Sequence, residues 1–289
     1  MNPSHPFSLR IFVADGDPDG LRIVERSNWI GKGLMFPRSL LPTVKQRDEF
    51  SQTGVYILIG PREDGDGDQI YIGEGDPVKS RFEDHYAKKD FWNRGVFFIS
   101  TGNPLNKAHV QFLESRLIAR AIESKRLPID NRNQPAESSL SEADRADMEV
   151  FLDHLFGILP VLGINAFEQP IRSKVEHRDL FSISAKGIQA KGFESSQGFT
   201  VQSGSTAVVG EAPSMVVHVH GMYELRQQLK RLEVLKDIGG VLQFTQDYSF
   251  SSPSTAAAVV LGRSANGRVE WKNSRGETLK SVQESTATN

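Results

Sequence analysis

The sequence predicts an α+β protein, because short apolar runs typical of strands stand apart from longer stretches with helical spacing. Strand-like runs lie at residues 8–14, 55–59 and 96–100, and helical spacing runs through residues 107–124 and 147–162. After about residue 180 the composition changes, and Gly, Ser, Val and Thr become frequent. We therefore predict a second, separate α+β domain at the C-terminal end.

The chain of 289 residues is long enough for two domains with additional elements. We predict a β-rich element at 1–50, a central domain at 51–135 and a helix with a linker at 136–180. A C-terminal α+β module follows at 181–282, and a disordered tail at 283–289. The main boundary is expected at the polar stretch that follows residue 167.

Composition indicates a soluble globular protein, with 38% hydrophobic and 24% charged residues. The chain has no cysteine, which fits a cytoplasmic protein without disulfides or thiolate metal sites. The start MNPSHPFSLRIF lacks the pattern of a secretory signal, and no apolar run reaches membrane-spanning length. The net charge of −2 does not by itself indicate nucleic acid, although a local basic face can still bind phosphates.

Two strand-like runs in the central domain each carry a tyrosine beside a glycine. Tyr56 lies in TGVYILIG and Tyr71 in QIYIG, and Arg81 and His85 follow four residues apart on a predicted helix. Residues at that spacing share one helix face. Singly, each has an ordinary explanation: tyrosines pack in strands, and the arginine and histidine lie at a surface.

Local signals fix the starts of two helices and one turn. Asp76 before Pro77 predicts a helix with Asp76 as its cap, and Ser252 before Pro253 predicts another. The segment NGRVEWK with the turn after it predicts a final hairpin at residues 266–279.

The helix predicted at residues 107–124 carries one carboxylate on its apolar side. Glu114 stands one turn from Val110, Leu117 and Ile118. A buried carboxylate is costly unless it is paired or bound to a metal. Glu114 is therefore either a ligand or a residue at the edge of the stripe that reaches solvent or an arginine.

These residues, taken in order, supply what phosphodiester hydrolysis needs: a base, a cation, a proton shuttle and a hard oxygen ligand. The order resembles the GIY-YIG nuclease family, through GVY at 54–56, YIG at 71–73, Arg81, Glu114 and Asn131. Val55 replaces the usual isoleucine. The spacer between the two motifs is longer than usual, and its run EDGDGD is acidic.

The resemblance implies a small three-stranded mixed sheet flanked by helices, and Mg²⁺-dependent hydrolysis of DNA by attack of water. It makes Tyr56 the general base and Tyr71 a support for water or phosphate. It makes Arg81 the stabiliser of the developing charge and Glu114 the ligand for Mg²⁺ or another divalent cation. His85 would relay a proton.

The resemblance also assigns three supporting residues. Gly54 and Gly73 belong to the two motifs, and Asn131 is assigned by its place after the glutamate helix. Asn133 competes with Asn131 for that assignment.

Cationic residues near the motifs are candidates for DNA binding: Lys79, Lys88 and Lys89. The alternative is a solvated helix face.

The C-terminal segment resembles a small module found after GIY-YIG domains and in restriction- and modification-associated proteins. There Arg263, Asn266, Arg268 and Lys272 would contact DNA, with Trp271 stacking. The alternative places Trp271 in the core of the module.

Two hypotheses of function follow. The first is an endonuclease acting on DNA, with RNA as a less favoured substrate. The second is a DNA-binding or accessory protein whose nuclease-like domain is weak or inactive, which the acidic spacer favours. The sequence indicates neither target sequence nor oligomeric state.

Overall fold

The computed structural model describes residues 6–62, 67–131, 133, 135–169, 180–185 and 187–287. The chain divides into two compact units, which we call the first unit (Met1–Glu168) and the second unit (Gln169–Asn289). Both combine antiparallel sheets with helices, which confirms the predicted α+β class.

A six-stranded sheet forms the centre of the first unit. Its strands are β1 (Leu9–Val13), β2 (Arg22–Arg26), β3 (Gly31–Pro37), β4 (Gly54–Pro61), β5 (Asp68–Gly75) and β6 (Arg94–Ser100). They lie in the order β1-β2-β3-β6-β4-β5, and each neighbouring pair is antiparallel.

The described residues of the same unit form the helices α1 (Leu41–Val44), α2 (Val78–Lys88), α3 (Lys107–Ser124) and α4 (Glu142–Ile158). Three short 3₁₀ turns lie at Arg38–Leu40, Asp48–Ser51 and Leu159–Leu162. The bounds of α3 agree with the helix predicted at 107–124.

The sheet separates two cores because successive side chains of a strand point to opposite faces. On β4, Val55 and Ile57 belong to a core with residues of α3 and α4. Tyr56 and Leu58 belong to the opposite core, which contains Phe82 of α2. Tyr56 therefore lies on the side of the sheet where α2 carries its polar residues.

The sheet is larger than the three-stranded mixed sheet implied by the resemblance. Strands β4, β5 and β6 are neighbours, but β3 continues the sheet by pairing with β6 from Gly31↔Ser100 to Pro37↔Arg94. A glycine permits this pairing, since a Cβ at Gly33 would lie 2.7 Å from the Phe98 ring. The N-terminal strands thus form one sheet with the tyrosine strands.

The second unit contains two antiparallel sheets. One has the order β13-β9-β8-β7 and the other β10-β12-β11. The strands are β7 (Phe181–Ala185), β8 (Ile188–Ser195), β9 (Gly198–Val201), β10 (Thr206–Ala207), β11 (Leu235–Asp237), β12 (Leu242–Phe244) and β13 (Tyr248–Phe250). The helices are α5 (Pro213–His218), α6 (His220–Arg231), α7 (Pro253–Leu261), α8 (Gly267–Glu270) and α9 (Leu279–Ala287).

One helix start agrees with the sequence, and the other differs. The Ser252 side chain accepts a hydrogen bond from Thr255 N, which confirms it as the cap of α7. Asp76 does not cap α2, because its carboxylate accepts the hydroxyl proton of Thr53 at 2.6 Å. Helix α2 instead follows Pro77 without a side-chain cap.

The end of the chain corrects two expectations. The predicted final hairpin is replaced by the short helix α8 and a single bridge between Lys272 and Thr278. Residues 283–287, expected to be disordered, continue helix α9, which begins at Leu279. Residues 288 and 289 lie outside the described part of the chain.

Within the described residues, every helix is too short or too polar to cross a membrane.

Candidate active site

A cleft of about 650 Å³ in the first unit collects most of the predicted catalytic residues. Helix α2 supplies one wall, helix α3 another, and the segment after Ile129 a third. The lining residues used below are Tyr71, Arg81, Asp84, His85, Lys88, Lys89, Glu114, Asp130, Asn131 and Asn133.

Tyr56 lies behind this cleft and is fully buried. Its hydroxyl is 2.6 Å from Nε2 of His85. The register of the β4–β5 hairpin places Tyr56 opposite Gly73, and a Cβ at Gly73 would lie 2.3 Å from the tyrosine hydroxyl. The glycine of the second motif thus makes room for the tyrosine of the first.

Burial keeps both members of the Tyr56–His85 pair uncharged. It raises the pKa of Tyr56, with the neighbouring Tyr71 adding to the rise and Arg81 opposing it. Burial, together with the charges of Arg81 and Lys89, lowers the pKa of His85 to about 4. With its proton on Nδ1, the imidazole accepts the hydroxyl proton of Tyr56 at Nε2.

Tyr71 is the tyrosine that faces the cleft. Its ring centroid is 4.8 Å from that of His85 and 6.2 Å from that of Tyr56. The two tyrosines and the histidine therefore form one aromatic cluster beneath the cleft.

Arg81 lies on α2, one helical turn before His85. The interaction with the nearby Tyr56 is the main cause that raises the pKa of Arg81, and burial opposes the rise. Its Nε is buried, with no hydrogen-bond partner among the described residues. An unpartnered cationic donor in a cleft is suited to an anionic oxygen.

Glu114 reaches the same cleft from α3. Burial raises its pKa to about 7, and the charge of Glu74 adds to the rise, while Arg81 and Lys107 oppose it. Glu114 is thus a half-buried carboxylate beside another carboxylate.

Glu74 is a residue that the sequence reasoning missed. One of its oxygens accepts from Lys107 Nζ at 2.5 Å, and the other is buried without a hydrogen-bond partner among the described residues. The sequence could have indicated Glu74 through its position directly after the YIG motif, on the strand that carries Tyr71.

The residues present fit Mg²⁺. Among the described residues, no three His, Asp or Glu side chains are grouped closely enough to hold a metal ion by themselves. Mg²⁺ does not require such a group, because it commonly binds one or two carboxylates and completes its shell with water and substrate phosphate. A divalent cation at Glu114 would also relieve its repulsion with Glu74.

Asn131 and the motif glycines act on the backbone. The side-chain amide of Asn131 accepts from the Ile72 N–H at 3.0 Å and donates to the Ile72 carbonyl at 2.7 Å. It therefore forms the two hydrogen bonds with β5 that the backbone of a neighbouring strand would form. Asn133 lines the cleft without replacing this role. A Cβ at Gly54 would lie 2.5 Å from the Phe98 carbonyl oxygen, so this glycine serves strand packing.

Two of the three lysines predicted near the motifs to bind DNA line the cleft, and both are paired. Lys88 lies 3.1 Å from Asp84, and Lys89 forms an ion pair with Asp130. Lys79 is not among the residues of the cleft wall.

The acidic spacer is described only in part, since residues 63–66 lie outside the described range. Asp68, at its end, is the first residue of β5 and pairs with Arg94 at 3.0 Å.

Two of the cationic candidates of the second unit have acceptors within that unit. Arg263 pairs with Glu270 at 2.7 Å, and Arg268 donates to Gln283 at 2.8 Å. Asn266 caps α8, while Lys272 is exposed.

Trp271 is fully buried, as the packing interpretation predicts. Its ring lies 4.5 Å from that of Phe199, and its Nε1 donates to the Pro253 carbonyl at 3.0 Å.

Comparison with known proteins bears on residues 181–283 alone. No nuclease family matches the chain, and neither a curated protein nor a solved structure matches it. The GIY-YIG resemblance therefore rests on the motif residues and their geometry. Residues 181–283 match the family described as a domain of unknown function (DUF4357).

Proposed function

We propose that the first unit is a Mg²⁺-dependent endonuclease that hydrolyses DNA phosphodiester bonds by attack of water on phosphorus. The observation that supports this most is one cleft shared by a tyrosine, an arginine, a histidine and a half-buried glutamate. A solvated helix face would not bring these groups together from one strand and two helices.

The proposed chemistry assigns each group a step. Water adds to phosphorus, and its proton passes to the Tyr56 hydroxyl while that hydroxyl gives its own proton to His85 Nε2. The low pKa of His85 leaves the imidazole free to accept this proton. Arg81 donates to a non-bridging oxygen as charge develops. The P–O bond to the leaving oxygen breaks, and that oxygen takes up a proton from solvent water.

Two further residues complete the assignment. Glu114, with Glu74 beside it, would hold Mg²⁺, which would supply Lewis acidity at the phosphate. Tyr71, on the cleft side of the cluster, orients the water or a phosphate oxygen.

Plasmid nicking tests the proposal. Wild-type protein is incubated with supercoiled DNA in Mg²⁺ and in EDTA, with methylated, unmethylated, branched and single-stranded DNA as further substrates. We expect nicking of at least one substrate in Mg²⁺ and none in EDTA. Nicking that is equal in EDTA would contradict the metal-dependent mechanism.

The second candidate is a DNA-binding or accessory protein with a weak or inactive nuclease-like domain. It is favoured by Tyr56, whose side chain has no exposed surface for a water molecule to reach. It is also favoured by the lysines of the cleft, which are paired with carboxylates. DNA binding without nicking of any substrate would select this candidate, and a preference for RNA would select the less favoured substrate.

For the DUF4357 module we propose an accessory role in DNA binding, with the exposed Lys272 as its best remaining candidate. Weaker, salt-dependent DNA binding by Lys272→Glu in the full chain would support it. Unchanged binding would contradict it. A cytoplasmic location fits a cysteine-free protein that acts on DNA.

A further inference from the structure

Lys89 occupies a particular place in the cleft, eight residues after Arg81 and four after His85. Lys89 is the C-cap residue that follows α2, and its backbone N–H donates to the His85 carbonyl at 2.9 Å. Eight residues of helix advance the axis by about 12 Å, which sets the approximate span from Arg81 to Lys89. The Lys89 ammonium lies 4.5 Å above the centroid of the Tyr71 ring. It is therefore held over the same aromatic cluster that carries the catalytic hydroxyls.

Asp130 is the anion bound to Lys89. Its backbone N–H donates to the Ile70 carbonyl at 2.8 Å, and the next residue, Asn131, is bonded twice to Ile72. The carboxylate is thus carried by a backbone segment fixed against the edge of β5.

The neighbouring pair of Lys88 and Asp84 provides a contrast on the same cleft wall. Its side chains are 72% and 54% exposed, whereas those of Lys89 and Asp130 are 26% and 34% exposed. An exposed pair four residues apart on a helix contributes little, and its lysine is already hydrated. In the less exposed pair, the carboxylate of Asp130 holds the Lys89 ammonium in one position.

We propose that Lys89 is a binding site for a backbone phosphate next to the scissile one, and that Asp130 occupies this site until DNA displaces it. The inference rests on the proposed function, in that DNA is taken as the substrate. A DNA strand carries one charge per about 3.4 Å of axis, so a strand with its scissile phosphate at Arg81 presents further phosphates within the span to Lys89. Phosphate and carboxylate then compete for one ammonium group.

The test compares two substitutions that each remove one negative charge from the cleft wall. Asp130→Asn and the matched control Asp84→Asn are made in the full chain. Binding to a fluorescent DNA duplex is measured by anisotropy in EDTA over a range of salt concentrations. We expect Asp130→Asn to tighten binding about threefold to tenfold more than Asp84→Asn. The slope of log affinity against log salt should be shallower by about 0.9 in Lys89→Gln, which lacks this one phosphate contact.

A second pair of variants shows whether the gain depends on the lysine. Lys89→Gln should weaken binding, and the double variant Lys89→Gln/Asp130→Asn should lose the gain seen in Asp130→Asn. Equal effects of Asp130→Asn and Asp84→Asn would overturn the inference, as would a gain that persists without Lys89 or an absence of DNA binding.

Nicking in Mg²⁺ is measured separately. Tighter binding by Asp130→Asn with no nicking by any variant would leave the phosphate site standing and remove the hydrolytic function. If the protein nicks DNA but Asp130→Asn and Asp84→Asn bind it equally, the hydrolytic function stands and the phosphate site at Lys89 is removed.

Discussion

The cleft of the first unit and the surface of the second unit carry similar residue types, but their polar side chains differ in whether they have hydrogen-bond partners. The cleft is lined by Arg81 and Lys89 together with Tyr71, and in the second unit Arg268 and Lys272 stand close to Trp271 in the sequence. In the cleft, Arg81 Nε and one oxygen of Glu74 are buried without hydrogen-bond partners among the described residues. In the second unit, Arg263 and Arg268 have acceptors on their own module. Buried polar groups without partners, rather than residue type, distinguish a candidate site from a surface.

Removing the hydroxyl of the Tyr56–His85 pair should have the largest effect on the cleft. We expect Tyr56→Phe to lower the nicking rate by about 10²–10⁴-fold, the range for loss of a proton-transfer group. The rate is measured under single-turnover conditions, with Tyr86→Phe as a control because Tyr86 is exposed and lies outside the cleft wall. Equal rates for the two variants would remove Tyr56 from the mechanism.

The corresponding aromatic residue of the second unit should affect stability rather than chemistry. Trp271→Ala should cost about 3–5 kcal/mol of unfolding free energy, because a buried aromatic ring leaves a cavity. Chemical denaturation of the full chain measures this cost. A loss below about 1 kcal/mol would contradict the core role of Trp271.

Glu114 should couple the stability of the first unit to pH. Its folded pKa of about 7 is above the usual value of 4.5, so its contribution to stability is present below pH 4.5 and lost as the pH rises through 7. Without metal, Glu114→Gln should therefore melt at a higher temperature than wild type at pH 8, with a smaller difference at pH 5. Thermal melts in EDTA measure both, and the opposite trend would contradict the burial of this carboxylate.

Added Mg²⁺ gives a second comparison of wild type with Glu114→Gln. Added Mg²⁺ should raise the melting temperature of wild type at pH 8 more than that of Glu114→Gln, because a bound ion stabilises the folded state. Equal shifts would place the ion elsewhere.

The smallest effect is expected for the paired arginines of the second unit. Arg263→Gln and Arg268→Gln should each change DNA affinity by less than about twofold, because surface charges already satisfied by a neighbouring carboxylate or amide contribute little. Anisotropy measures the affinity, with Lys272→Glu as the comparison. A large loss for either arginine would mean that its pairing partner is displaced by DNA.

Local patterns predicted much of this molecule. The α3 helix, the Ser252 cap and the packing of Trp271 follow from spacing and short-range chemistry. The order of Tyr56, Tyr71 and Arg81 also predicted that these side chains lie near one another, because a hairpin and its following helix keep nearby residues together.

Long-range pairing was not predictable in the same way. The register of β3 on β6 joins residues far apart in the sequence, and it decides that the N-terminal strands extend the sheet. Lys89 and Asp130 are 41 residues apart in the sequence, and no local pattern around either residue predicts that they pair. Glu74 was missed because its effect on Glu114 arises only when β5 and α3 pack together.

The metal assignment of Glu114 is the central claim and has a direct test. Nicking of supercoiled plasmid in Mg²⁺ is compared for wild type, Glu114→Ala and Glu123→Ala, where Glu123 lies on the exposed face of the same helix. The account predicts that Glu123→Ala nicks at the wild-type rate and that Glu114→Ala loses at least about 10²-fold, the range for loss of one group that stabilises transition-state charge. Nicking by Glu114→Ala at the wild-type rate would contradict it.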